Sequence, residues 1–182
     1  MRRLIRLHGP CSLGGERAEP FVHLVRAVVG QQVSAGAARS IFEKCTLAAG
    51  GISPERLLAC GESALRAAGL STRKAEYVRA LSQAVLAGEV NFRAFRKLDD
   101  EAVIKSLVSV RGIGRWTAEM FLIFSLARAD VLPLGDQGLN NAVRELYGED
   151  ARIADFREIW SPFCSVACWY LWASRDNSPD KI

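Results

Sequence analysis

The stretch VRGIGRWTAEMFLIF, residues 110–124, constrains this chain more than any other. Two glycines, Gly112 and Gly114, bracket a single apolar residue, and behind Arg115 comes a run rich in Trp116, Met120, Phe121, Leu122, Ile123, Phe124 and Leu126. A helix that is apolar on nearly every face has to be buried, so the fold is expected to be built around a helix over 115–128. The glycines can enter left-handed backbone without steric cost, which permits a tight turn at the helix start. Ile113 is expected to plug into the core and hold that turn rigid. Backbone amides and the positive end of the helix dipole then face outward and favour an anion such as phosphate, with Arg111 and Arg115 adding charge on either side. By itself such a turn reads first as a plain helix entry. A dinucleotide fingerprint fits worse, because no strand precedes it and Thr117 stands where a third glycine would be. A helix over 99–108 completes a helix, hairpin and helix, a device that grips a DNA backbone without reading sequence.

The rest of the chain carries few strand signals and many helical ones, so the fold class is all-α. Phe21, Leu24, Val25 and Val28 recur at helical spacing, as do Ile41, Cys45 and Ala48. Helices are expected over 19–30, 34–49, 54–59, 61–68, 73–87, 99–108, 115–128, 137–147 and 162–175. Ser34 and Ser53-Pro54 read as starts, Gly50-Gly51 and Gly69 as stops, and Pro133 with Gly135 breaks the chain before Asp136. Helices this many, short and unequal suit a two-lobed body with a cleft better than a simple bundle. The expected lobes are about 30–130, with the hairpin at 109–114, and a second from about 1–29 and 131–182.

Charge points the same way as the hairpin. The net charge is only +4, but 19 of the 24 cationic residues are Arg, which suits bidentate contact with phosphate. Residues 73–115 hold nine basic and five acidic side chains, a surplus equal to that of the whole chain. Cys11, Cys45, Cys60, Cys164 and Cys168 form no CxxC pair, and reduced thiols in a cytoplasmic protein are the plain reading. With neither a secretory leader nor eighteen consecutive apolar residues, neither secretion nor a membrane span is expected.

LVSVRGIGRWTAEMFLIF, followed by LPLGDQGL with Asp136 twenty residues beyond Trp116, resembles the helix-hairpin-helix DNA glycosylase superfamily, and within it the 3-methyladenine DNA glycosylase II family. PFVHLVRAVVGQQVSAGAA, 20–38, is similar to that family's first cleft helix and wedge loop, and IWSPFCSVACWYLW, 159–172, to its pocket helix. The resemblance runs from about residue 4 to residue 174. No counterpart of the β-rich domain that precedes the helical body in larger relatives is expected in this chain.

The resemblance implies a monofunctional glycosylase of base excision repair that acts, as a monomer, on double-stranded DNA containing alkylated bases. It puts Asp136 in the position of the catalytic carboxylate. Breaking an N-glycosidic bond builds positive charge on the sugar, and a fixed carboxylate beside it lowers that barrier. Asp136 also reads as the N-cap of the helix over 137–147, and both roles can hold together. Trp116 falls where lyase-competent relatives carry a lysine, and an indole cannot form a Schiff base. Alkylated purines are cationic, so the resemblance implies an aromatic pocket of Trp116, Trp172 and Tyr170, with Met120 on its floor where some relatives have Tyr. Core packing is the alternative for each of these aromatics.

A flipped nucleotide leaves a hole in the duplex, and the family position for filling it is Gln32, where Leu is common. Gln31, or both glutamines, can instead hold the loop against neighbouring backbone. DNA contacts are implied for Gln32, Arg111, Gly112, Ile113, Gly114, Arg115 and Thr117. No cofactor is required, though the hairpin carbonyls of Val108, Val110 and Ile113 match those that hold a structural sodium or potassium ion in the superfamily. An iron–sulfur cluster is not expected, since only Cys164 and Cys168 lie near the C-terminal end and their spacing suits one buried helix face. His8 and Cys11 lack a second ligand pair, and His23 reads as a surface or satisfied histidine rather than a base. The rivals are a DNA-binding module without chemistry, opposed by Asp136, and a bifunctional glycosylase/lyase, opposed by Trp116.

Overall fold

In the computed structural model, which describes residues 1–15 and 19–175, all regular structure is helical. In chain order the helices are α1 (Arg2–His8), α2 (Pro20–Gly30), α3 (Ala35–Ala49), α4 (Pro54–Ala67), α5 (Thr72–Leu86), α6 (Phe92–Phe95), α7 (Asp100–Val108) and α8 (Arg115–Phe124). They continue with α9 (Gln137–Tyr147), a 3-10 turn (Ile153–Phe156), α10 (Arg157–Trp160) and α11 (Cys164–Ser174). The punctuation read from sequence works by the expected hydrogen bonds. Ser34 Oγ accepts from Ala37 N, and Ser53 Oγ accepts from Arg56 N. Gly50 ends α3 in the left-handed region, with Gly51 N–H returning to the Thr46 carbonyl. The break expected between 59 and 61 is a kink inside α4, where Gly61 leaves helical backbone at φ 78°.

Three expectations are corrected. The helix expected over 115–128 stops at Phe124: Ala127 turns left-handed at φ 52°, and Arg128 N–H reaches back to the Leu122 carbonyl. Leu126 and Ala127 extend the apolar pattern past that point in the sequence, so periodicity alone overran the helix. Second, α1, α6, α10 and the 3-10 turn were not expected. They are four to seven residues long, too short for a hydrophobic period to register. Third, the lobe boundaries shift. One compact unit is Ala18–Phe121, and the other combines Met1–Arg17 with Leu122–Ile182. The helix at 20–30 therefore belongs with the hairpin unit and not with the terminal one. Residues 16–18 and 176–182, which fall in the expected second lobe, lie outside the described residues.

The larger unit is a helical stack in which α4 packs on α5 and on α3, and α2 packs on α3 and α5. Leu24, Val25 and Val28 of α2, Leu65 of α4, Val78 and Leu81 of α5, and Phe121 of α8 are buried there. The smaller unit packs α11 against α1 and α9. Nine of the eleven residues of α11 are buried, as its apolar sequence requires.

His23 on α2 meets the Phe121 ring edge to face, with centroids 6.2 Å apart. Burial first, and then the Arg26 charge, lower its pKa from 6.5 to about 4. The unfolded chain therefore takes up this proton before the folded one does. Stability is unaffected above pH 6.5, falls as pH drops from 6.5 to about 4, and loses nothing further to this group below that. The loss amounts to about 3 kcal/mol at most. Urea unfolding of wild type and His23→Leu at pH 7 and pH 4.5 should show a smaller acid loss in the variant. Equal losses would refute this assignment.

Candidate functional site

Asp136 is delivered by a turn and a helix start. Pro133 and Gly135 interrupt the chain, Asp136 N–H bonds to the Pro133 carbonyl at 3.1 Å, and Asp136 then caps α9. Its Oδ1 accepts from Leu139 N at 2.8 Å, and its Oδ2 accepts from the Trp172 indole Nε1 at 3.3 Å. Both carboxylate oxygens are thus fixed, and the residue is 7% exposed. A negative charge is favoured at a helix N-terminus, so the cap geometry favours the ionised carboxylate. Gly138 leaves the space this needs, since a Cβ there would stand 3.2 Å from Oδ1.

Trp172 reaches Asp136 because two segments are tied together. Ser165 of α11 donates its hydroxyl to the Arg128 carbonyl at 2.7 Å and accepts from Val131 N at 3.0 Å. Asp130 accepts from Cys164 N at 3.2 Å and from Ser161 Oγ at 2.9 Å, so it caps α11 from outside. The loop leading to Asp136 is thereby bound to the first turn of the helix that carries Trp172. The Trp172 ring packs against Phe124 with centroids 5.8 Å apart.

Tyr170 is not part of this arrangement, which corrects its expected place in the pocket. Two residues along a helix turn by about 200°, so it points away from Trp172. Its hydroxyl donates to the Gly9 carbonyl at 2.8 Å, and its ring meets Trp169 edge to face. Cys164 and Cys168 lie on a buried face of α11, where burial is the first cause pushing the Cys164 thiol up to about 12.

In the larger unit the hairpin glycines do different things. Gly112 is left-handed at φ 95°, and a Cβ there would come within 2.1 Å of the Tyr77 ring. Gly114 is corrected against expectation: it has no positive φ, and a Cβ there would meet nothing within 4 Å. Ile113 is buried, and its N–H closes the turn on the Val110 carbonyl at 3.1 Å. The Gly112 carbonyl accepts from Gln31 Nε2 at 3.0 Å, so Gln31 ties the loop after α2 to the hairpin.

Gln32, next to it, is exposed and left-handed at φ 56°. A non-glycine residue held so costs about 1 kcal/mol or more, and such strain persists only where neighbours impose it. Here Lys74 Nζ donates to the Val29 carbonyl at 2.8 Å and anchors the end of α2 beneath the loop.

The arginines beside the hairpin are less available than the sequence suggested. Arg111 pairs with Glu76 at 3.0 Å, and Arg115 bonds to Glu101 and, at 3.0 Å, to Glu119. Thr117 is buried, which removes its side chain from the expected DNA contacts, and buried Ile113 can offer only backbone. Trp116 is 45% exposed, against the core-packing alternative. Met120, one helical turn on, shares its face and is buried.

Several contributors were missed in the sequence: Phe124 behind Trp172, Gly138 beside the carboxylate, and the acids that engage the two arginines. Of these, only Glu119 carried a local signal, four residues after Arg115.

Residues 25–162 match the family model described as HhH-GPD superfamily base excision DNA repair protein. The chain belongs to this superfamily. A DNA-3-methyladenine glycosylase of Schizosaccharomyces pombe is 34% identical over 94% of this chain and 80% of its own. The crystal structure of a DNA-3-methyladenine glycosidase from Bacillus halodurans superposes with a TM-score of 0.86 at 36% identity, covering 98% of this chain and 85% of that one. A 3-methyladenine DNA glycosylase of Schizosaccharomyces pombe in complex with abasic DNA also reaches a TM-score of 0.86, at 33% identity over 96% and 90% of the two chains. The helix-hairpin-helix fold inferred from the glycine turn is therefore that of this superfamily. Among the described residues, no helix is long and apolar enough to cross a membrane.

Proposed function

We propose that this chain is a monofunctional DNA glycosylase that releases alkylated purines of the 3-methyladenine and 7-methylguanine type from double-stranded DNA, acting as a monomer and leaving an abasic site. The observation that carries the reading is the buried Asp136 carboxylate, held at one oxygen by the Leu139 amide and at the other by the Trp172 indole. The names of the relatives described above support it.

The proposed reaction needs little beyond electrostatics. As the glycosidic bond lengthens, charge grows on the sugar, and a carboxylate already oriented stabilises it without reorganising. Water completes the substitution at the anomeric carbon and releases its proton to solvent, and the bond's electron pair leaves with the base, which departs neutral. An alkylated purine already carries positive charge, so it departs without a general acid. Trp172 orients the carboxylate through its N–H and offers ring surface to the cationic base. No amine stands at position 116, and Lys74 spends its ammonium on the Val29 carbonyl.

The hairpin contributes backbone more than side-chain charge. The open space at Gly114 admits a phosphate close to the main chain, and Gln32 fills the gap left by the flipped nucleotide. Hydrolysis needs no cofactor. The carbonyls of Val108, Val110 and Ile113 would hold a sodium or potassium ion. That of Val110 already accepts Ile113 N–H and keeps one lone pair free, which fits a weakly held monovalent cation.

The test is chromatography of bases liberated from methylated duplex DNA, with borohydride trapping on abasic DNA alongside. Free methylated purine without a covalent adduct is expected. DNA binding without base release would favour the binding module, and an adduct would favour the lyase.

A further inference from the structure

Asp136 is held by its side chain, but the turn that presents it is held by a different residue. Leu134 is exposed, and among the described backbone bonds none runs to its carbonyl. Asn140, one turn into α9, supplies the missing donor. Its Nδ2 donates to the Leu134 carbonyl at 2.9 Å and to the Asp136 carbonyl at 2.8 Å. The Asp136 carbonyl also accepts the Asn140 backbone N–H at 3.0 Å, the first helical bond of α9. One amide nitrogen therefore spans Gly135 and clamps the carbonyls on both sides of it.

We propose that Asn140 is a positioning residue of the reaction: its amide sets the backbone arc 134–136, and through it the direction in which the Asp136 carboxylate presents its charge. This rests on the glycosylase reading above. The geometry demands a short side chain ending in one nitrogen with two hydrogens. Asp lacks the donors, Ser has one hydrogen, and Gln would carry the amide past both carbonyls by a methylene. Positioning errors near 1 Å cost about a hundredfold in rate. Because Leu139 N and Trp172 Nε1 still hold the carboxylate, losing Asn140 should leave a partial shift.

Asn140→Leu keeps the shape, adds no charge and removes both donors. On methylated duplex DNA with enzyme in excess, its single-turnover base release is expected to fall about tenfold or more, while affinity for duplex carrying a tetrahydrofuran abasic analogue stays within about twofold. The decisive readout is coupling: in an Asp136→Asn background, Asn140→Leu should lower the residual rate by less than about twofold, because its effect passes through that carboxylate. Asn140→Ser serves under the same criteria should the Leu variant not fold. A rate within twofold of wild type, or equal losses in the two backgrounds, would overturn the proposal. A wild-type chain that releases no base would instead overturn the glycosylase reading, and the positioning role with it.

Discussion

Asp136→Asn is expected to lower single-turnover base release by about a thousandfold or more, equivalent to about 4 kcal/mol of transition-state stabilisation. The substitution keeps the shape and one capping oxygen, so Leu139 N retains an acceptor and α9 keeps a serviceable cap. What disappears is the charge proposed to face the sugar. If the amide oxygen stays on Leu139 N, the new nitrogen faces the Trp172 indole N–H, donor against donor. The resulting loss of stability is expected to be about 1 kcal/mol. DNA affinity should hold or rise, since a negative charge has been taken from the vicinity of phosphates. A gel-shift titration beside the rate measurement separates the two quantities. Base release within tenfold of wild type would remove Asp136 as the catalyst.

Gly112→Ala is expected to damage the fold itself. The added Cβ would lie 2.1 Å from Tyr77 Cγ and 2.6 Å from Tyr77 Cβ. A change of χ1 can move Tyr77 Cγ away but not Tyr77 Cβ, which is fixed by the backbone of α5. A left-handed alanine adds about 1–2 kcal/mol to the cost of overpacking, for a total of about 4 kcal/mol. For a chain of this length that lowers Tm by roughly 10 °C, readable by thermal denaturation. Gly114→Ala is the contrast: with no positive φ and nothing within 4 Å, it should leave Tm nearly unchanged and weaken only DNA binding. Equal Tm values for the two variants would show that the hairpin is not held as described.

The hairpin shows how far local sequence carries. The Gly-Ile-Gly spacing announced a turn before a buried helix, and both exist, because glycine freedom and an all-apolar face are properties of the residues themselves. Which glycine needs its freedom was not legible. Tyr77, thirty-five residues earlier, decides that by lying against Gly112. The arginines repeat the lesson: charge density around the hairpin was visible, whereas its pairing with Glu76 and Glu101 depends on helices brought together by folding.

At the site the division is similar. Asp136 could be named as a cap and as a carboxylate at the right interval from the hairpin, and the cap follows from its immediate neighbours. Trp172 could be placed on the last helix, but not its indole N–H on Asp136 Oδ2, nor the removal of Tyr170 to the opposite face. The order of helices and their caps, that of Asp136 included, are local properties, set within a few residues by periodicity and hydrogen-bonding capacity, whereas the choice of Asp136 as the carboxylate came from the resemblance. The direction of that carboxylate, the strain at Gln32 and the partners of the hairpin arginines arise only when distant segments pack, because a hydrogen bond between residues 136 and 172 has no trace in the chain until both are held in place.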